Sequence, residues 1–187
     1  ADVPNVAVDI APVHSLVSRV MQGVGTPDLI IRSGASPHQY RLRPSEAKAL
    51  QDANLVIWMG EGLTPWMEDA VATLSSEALI MSLLKKEETA LLKFRESAFF
   101  EEHSHDDHTG DEHEKHGHEE HDDHSDKDHD ETEEHGHDEH AHGTYDPHAW
   151  LSPENAKIWL NLIAAQLSTA DPGNAGTYFT NAAVALT

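Results

Sequence analysis

The sequence predicts an α/β fold, a parallel sheet flanked by helices, interrupted by one long segment that cannot join a core. Three observations lead there. Short apolar runs such as "NLVIWMG" are hydrophobic along their whole length, as strands buried on both faces are. Segments with helical spacing of apolar residues alternate with them, the signature of βαβ units. Residues 101–143 hold thirteen histidines and nineteen carboxylates, with no aliphatic residue larger than alanine.

The elements follow in order. "VPNVAVDIA" (Val3–Ala11) reads as a first strand ended by Pro12. Val13, Leu16, Val17, Val20 and Met21 then recur at helical spacing, with Gly23 and Gly25 as stop signals. "DLIIR" is a second strand, followed by the loop "SGASPHQYRLRP". "PSEAKALQDA" predicts a short helix, "NLVIWMG" the third strand, "GEGLTPWMEDAVATL" a helix and "ALIMSLL" a fourth apolar run. After the acidic segment, Ser152 and Pro153 form an N-cap and first-turn pair. Ala156, Leu160, Ile163 and Leu167 are expected to line one face of the helix that follows. "ADPGNAG" breaks it, and "AGTYFTNAAVALT" reads as helix again. No stop signal closes that last segment, so the chain is expected to be cut inside a helix.

Composition excludes several functions. Residues 101–143 carry 19 acidic and 2 basic residues, a net of −17 out of −22 for the 187-residue chain. The segment is too polar and too charged to repay the entropy of ordering, so it is expected to be disordered. The remainder is long enough for one core. It has no basic stripe for nucleic acid, and so negative a chain is repelled by anionic lipid. There are no cysteines, so a transition-metal site must use imidazole and carboxylate. No apolar run is long enough to span a bilayer as a helix. The start "ADVPNVAVDI" is what an exported chain looks like after signal removal.

Of sixteen histidines, His14, His38 and His148 lie outside the acidic segment. "SPHQY" (Ser36–Tyr40) and "DPHAW" (Asp146–Trp150) share the pattern Pro-His-x-aromatic. The first follows a predicted strand, and in parallel sheets ligands bind where such loops converge, outside the carboxyl ends of the strands. Two readings stand. Either His38 and His148 share a metal ion, or each is an exposed loop residue and the match is coincidence. Zinc suits imidazole in a tetrahedral shell, with Asp146 and Glu61 as nearby carboxylates, and His14 is expected to be a helix-surface residue. In the segment, "HEKHGHEEHDDH" offers overlapping His-x-His and His-x-x-His pairs. His113, His116, His118, His121, His124, His135, His137 and His140 are candidates for weak, exchangeable sites that lose metal on acidification. A purely solvating spacer is the competing reading. A zinc hydrolase is the alternative from another class, but no His-Glu-x-x-His pairing supplies a base, and no Gly-x-Ser-x-Gly elbow supplies a serine nucleophile.

Three stretches together, "LIIRSGASPHQYRLRPSEAKALQDANLVIWMGEGLTPWM", the histidine-rich insertion and "DPHAWLSPENAKIWLNLIAAQL", resemble the ZnuA family. These are zinc-binding periplasmic components of ABC importers, within a solute-binding family that also serves manganese. The resemblance implies a non-enzymatic, monomeric carrier in the periplasm whose partners are the zinc ion and a membrane permease. It implies two α/β lobes joined by a long helix, with the metal between them. Residues 1–100 would begin the first lobe and 101–143 would be its loop. Residues 144–187 would hold the second metal-site loop, the lobe-closing helix and the start of the linking helix. A second lobe would bring the remaining ligands. By position, His38 and His148 match the two first-lobe ligands. Pro37 stands where some zinc members have a glutamate, a form common among manganese members, so a manganese carrier is the alternative within the family.

Overall fold

The two runs that are apolar throughout become the two central strands of a four-stranded parallel sheet. The computed structural model describes residues 3–94 and 144–187. The strands are β1 (Val6–Val8), β2 (Asp28–Leu29), β3 (Leu55–Trp58) and β4 (Leu79–Ser82), in the order β2-β1-β3-β4. All pairs are parallel, with Val6 opposite Leu55 and Leu55 opposite Leu79. Every residue of β1 and β3 is buried, as helices on both faces require. At the edge, β4 leaves Leu79 and Ile80 43% and 45% exposed, so its apolar run is only half covered.

The helices are α1 (Ala11–Val20), α2 (Pro44–Asp52), α3 (Pro65–Leu74), α4 (Pro153–Ala170) and α5 (Ala175–Ala185). Right-handed crossovers put α1 on one face and α2 and α3 on the other, because the chain moves one way from β1 to β2 and the opposite way afterwards. The packing agrees: α2 lies against α3, while α4 and α5 pack on α1. All these elements belong to one compact unit, Ala1–Phe94 with His142–Thr187.

The boundaries correct the sequence reading in three places. The first strand spans three residues rather than Val3–Ala11. Ala11 opens α1 instead, with Pro12 in its first turn, where a missing N–H costs nothing. The regular part of "DLIIR" is Asp28–Leu29, although Ile30 N–H still donates to the Val8 carbonyl and Ile31 N–H to that of Asp9. On α4 the buried face is Asn155, Trp159, Leu160, Ile163, Ala164 and Leu167. Ala156 is only half-buried, because Asn155 takes the inward position at the first turn. Elsewhere the expected order holds, including the break after Ala170 and the cap, where Ser152 Oγ accepts from Asn155 N–H.

The neighbouring strands β1 and β3 continue their chains in opposite directions, which makes the crevice outside their carboxyl ends the switch point of the sheet. Asp9 closes it. Fully buried, it accepts Ile10 N–H on Oδ1 and Met59 N–H on Oδ2, each at 2.7 Å. Its own carbonyl holds Ile31, and the Met59 carbonyl holds Leu84 N–H and Ser82 Oγ. All four strand ends are thereby tied to one Asp9–Met59 node, and the loop after β2 starts from it.

Candidate metal centre

Two loops carry the motif histidines. Residues 32–43 run from β2 to α2 and hold His38. Residues 144–151 lead into α4 and hold His148 in front of a single 3-10 turn, Ala149–Leu151. The second loop is fixed from three sides. Lys93 and Tyr145 form an antiparallel bridge, and Asp146 N–H donates to the Leu92 carbonyl. Buried Asn155 accepts Ala90 N–H and donates from Nδ2 to the carbonyls of Ala90 and Ala149.

The two imidazoles meet. Their Nε2 atoms lie 3.3 Å apart, and the ring centroids are 5.3 Å apart at an interplanar angle of 70°. Two nitrogens bound to one zinc at ~2.0–2.1 Å and a tetrahedral angle would be about 3.3–3.4 Å apart, against about 2.9 Å at a right angle. The observed separation fits one edge of a tetrahedral shell and equally an N–H···N hydrogen bond between the rings.

Asp146 sets the chemistry of His148. Its Oδ1 lies 2.7 Å from His148 Nδ1 and accepts the His148 backbone N–H at 2.9 Å. That backbone bond, followed by the imidazole bond, holds the Asp146 carboxyl below its ordinary range. A carboxylate at Nδ1 keeps the proton there and leaves the Nε2 lone pair free for a cation. Asp146 Oδ1 thus stands behind the His148 ring, where a carboxylate orients an imidazole. Its spacing, two residues ahead of the histidine, is the local pattern of an Asx turn.

The other candidates are engaged elsewhere. Glu61 pairs with Lys85 at 2.7 Å. His14 Nε2 lies 2.9 Å from the Pro27 carbonyl, to which it must donate, and its Nδ1 lies 3.5 Å from Ser18 Oγ. Among the described residues no group of three or more histidine, aspartate or glutamate side chains could hold a metal. The pair could offer two nitrogens to one ion. The segment histidines, His113, His116, His118, His121, His124, His135, His137 and His140, lie outside the described residues.

Comparison with known proteins gives the same picture at larger scale. The family model of ZnuA, "Zinc-uptake complex component A periplasmic", matches residues 6–187. Among curated proteins, the high-affinity zinc uptake system protein ZnuA of Paracoccus denitrificans is 50% identical over 185 residues, covering 99% of this chain and 53% of that protein. The protein of the same name from Brucella abortus is 43% identical over 177 residues, covering 95% and 52%. The chain thus spans about half the length of these relatives. Zn(II)-bound AdcA of Streptococcus pneumoniae superposes with a TM-score of 0.63 at 20% identity, over 98% of this chain and 30% of that one. An Mn-bound periplasmic metal-binding protein from candidatus Liberibacter asiaticus does so at 0.64 and 17% identity, over 97% and 52%. At such identities the two structures speak for the fold.

Proposed function

The chain belongs to the ZnuA family of periplasmic zinc-uptake components, and from that premise we propose that it binds zinc in the periplasm and delivers it to an ABC import permease. One observation carries the reading: the two Nε2 atoms, 3.3 Å apart, with His148 turned by Asp146 so that its lone pair faces His38. His38 and His148 supply two ligands, and the rest come from outside the described residues. The role needs no chemical step. A carrier works by differential affinity, tight enough to capture the ion and relieved when the permease draws the ligands apart.

Residues 101–143 collect zinc on exchangeable imidazole and carboxylate sites and raise its concentration near the pair. Any such binding is opposed by protons, since an imidazole must be neutral to ligate. Manganese is the second reading, favoured by Pro37 before His38. The ZnuA family match and the histidine-rich segment speak for zinc.

The test is zinc titration of the intact chain against His38→Ala and His148→Ala, each followed at the imidazole resonances of the remaining histidine. Zinc should perturb both rings together in the parent chain and neither alanine variant should retain that response. Independent responses of the two rings would sink the proposal.

A further inference from the structure

A flexible loop would have to be ordered by the ion it binds, at a cost in affinity. The loop carrying His38 is instead held at three points, Pro37, Tyr40 and Arg43, by groups of the protein itself. Trp66 Nε1–H donates to the Pro37 carbonyl at 2.8 Å, directly before the histidine. The Trp66 ring lies against Tyr40, two residues after it, with centroids 5.6 Å apart. Tyr40 OH donates to Glu46 Oε1 at 2.7 Å and accepts from Arg32 Nε at 3.2 Å. Glu46 Oε2 accepts Arg43 N–H at 2.8 Å. One carboxylate, on a side chain only 8% exposed, thus reaches both ends of the loop, Arg43 directly and Arg32 through Tyr40.

A carboxylate is rarely buried this far unless its acceptor sites are filled. Here both oxygens are filled by groups of the His38 loop. The Arg43 bond is the capping-box bond of α2, with Arg43 at the N-cap and Glu46 at N3, but a capping box needs no tyrosine on the second carboxylate oxygen.

We infer that Glu46 is a positioning residue for His38, acting through Tyr40 and its contact with Trp66 to keep the loop in metal-ready geometry before the ion arrives. The inference rests on the carrier reading, since it gives His38 an ion to wait for. It adds that affinity is set in part on α2 and α3, by groups that never touch the metal. Groups bonded directly to a ligand are worth roughly 10–100-fold in metal affinity, and Glu46, which acts through Tyr40, should fall at or below the lower end of that range.

The experiment uses the intact chain and zinc alone, read at the His38 and His148 imidazole resonances, with thermal unfolding followed in parallel. Glu46→Ala should weaken zinc binding at the pair by up to about 10-fold. Glu46→Gln should restore most of it, since its amide oxygen can accept Arg43 N–H while its NH2 meets the Tyr40 oxygen. Tyr40→Phe, which removes one hydroxyl and leaves the helix start intact, should act in the same direction and serves if Glu46→Ala does not fold. Ser75→Ala, which deletes the buried bond from Ser75 Oγ to the Leu50 carbonyl far from the loop, should lower stability without changing affinity. Parental affinity in both Glu46→Ala and Tyr40→Phe would overturn the inference, as would an equal loss in Ser75→Ala. If the parent chain itself shows no coupled response of the two rings, the carrier reading fails and not the positioning role: the metal-free His38 resonances should still move in Glu46→Ala.

Discussion

His38 and His148, 110 residues apart in the chain, bring their Nε2 atoms to 3.3 Å, and among the described residues a carboxylate meets the His148 ring and not the His38 ring. The asymmetry has a consequence. With Nδ1 of His148 protonated toward Asp146, its Nε2 can only accept, so any hydrogen bond between the rings is donated by His38 Nε2.

Asp146→Asn tests the tautomer. An amide can donate to Nδ1 as readily as accept from it, so the Nε2 lone pair is no longer guaranteed. Zinc affinity at the pair should fall by roughly 10–100-fold with little change in the unfolding temperature. Calorimetric titration of both proteins checks it, and equal affinities would exclude an orienting role.

Deleting residues 101–143 separates the two proposed classes of site. The number of zinc ions bound per chain should fall sharply, while the tightest binding, read at the His38 and His148 rings, persists. Unchanged stoichiometry would mean that the histidine-rich segment collects no zinc.

Asp9 predicts a pH dependence of stability. Burial outweighs its two backbone hydrogen bonds and pushes the carboxyl from 3.8 up to about 7. Between about pH 4 and 7 the folded state therefore holds a proton that the unfolded state has lost. Stability falls as pH rises through that window, by up to ~1.4 kcal/mol per pH unit, and levels off above it. Asp146, whose carboxyl is depressed, acts the other way and lower down, its contribution disappearing as pH drops below the ordinary carboxylate range. Urea unfolding from pH 4.5 to 8 should show the decline in the parent chain and a flatter profile in Asp9→Asn. That variant is also weaker throughout by about 1–3 kcal/mol, because one backbone N–H faces an amide NH2 instead of an acceptor. Parallel profiles would show that Asp9 does not titrate in this range.

Asn155 holds together the two chain ends that flank the insertion, through Ala90 and Ala149. Asn155→Ala leaves two backbone groups of exposed Ala90 and one of half-buried Ala149 without their partner and should cost roughly 1–3 kcal/mol of stability. The loss should be visible in thermal unfolding, with hydrogen exchange quickened at Ala90 and Ala149. A cost under about 1 kcal/mol would mean that water replaces the side chain.

Much of this was legible in the sequence because it depends on local pattern. Runs such as Leu55–Trp58 announce a strand buried on both faces, and Ser152-Pro153 announces a helix start. The two Pro-His-x-aromatic stretches marked the loops that meet. Less legible were features whose partner lies far along the chain. Nothing near Asn155 says that it faces inward while Ala156 does not, since the cause is Ala90, on the other side of the insertion. Glu46 reads as an ordinary first-turn acid of a helix, and Trp66 as a core residue of another. Asp146 was a candidate carboxylate by proximity alone, and sequence cannot say that its Oδ1 lies behind the His148 imidazole.

The sequence by itself determined the kind of layer this chain builds and the two rings worth watching, because hydrophobic period and proline-fixed loops act over a few residues. Only the tertiary structure decided the separation of those rings, which carboxylate stands behind them and what holds the His38 loop still. Those are set by the reversal of chain direction between β1 and β3. It brings four strand ends to the Asp9–Met59 node and lets side chains of distant segments complete one another's hydrogen bonds.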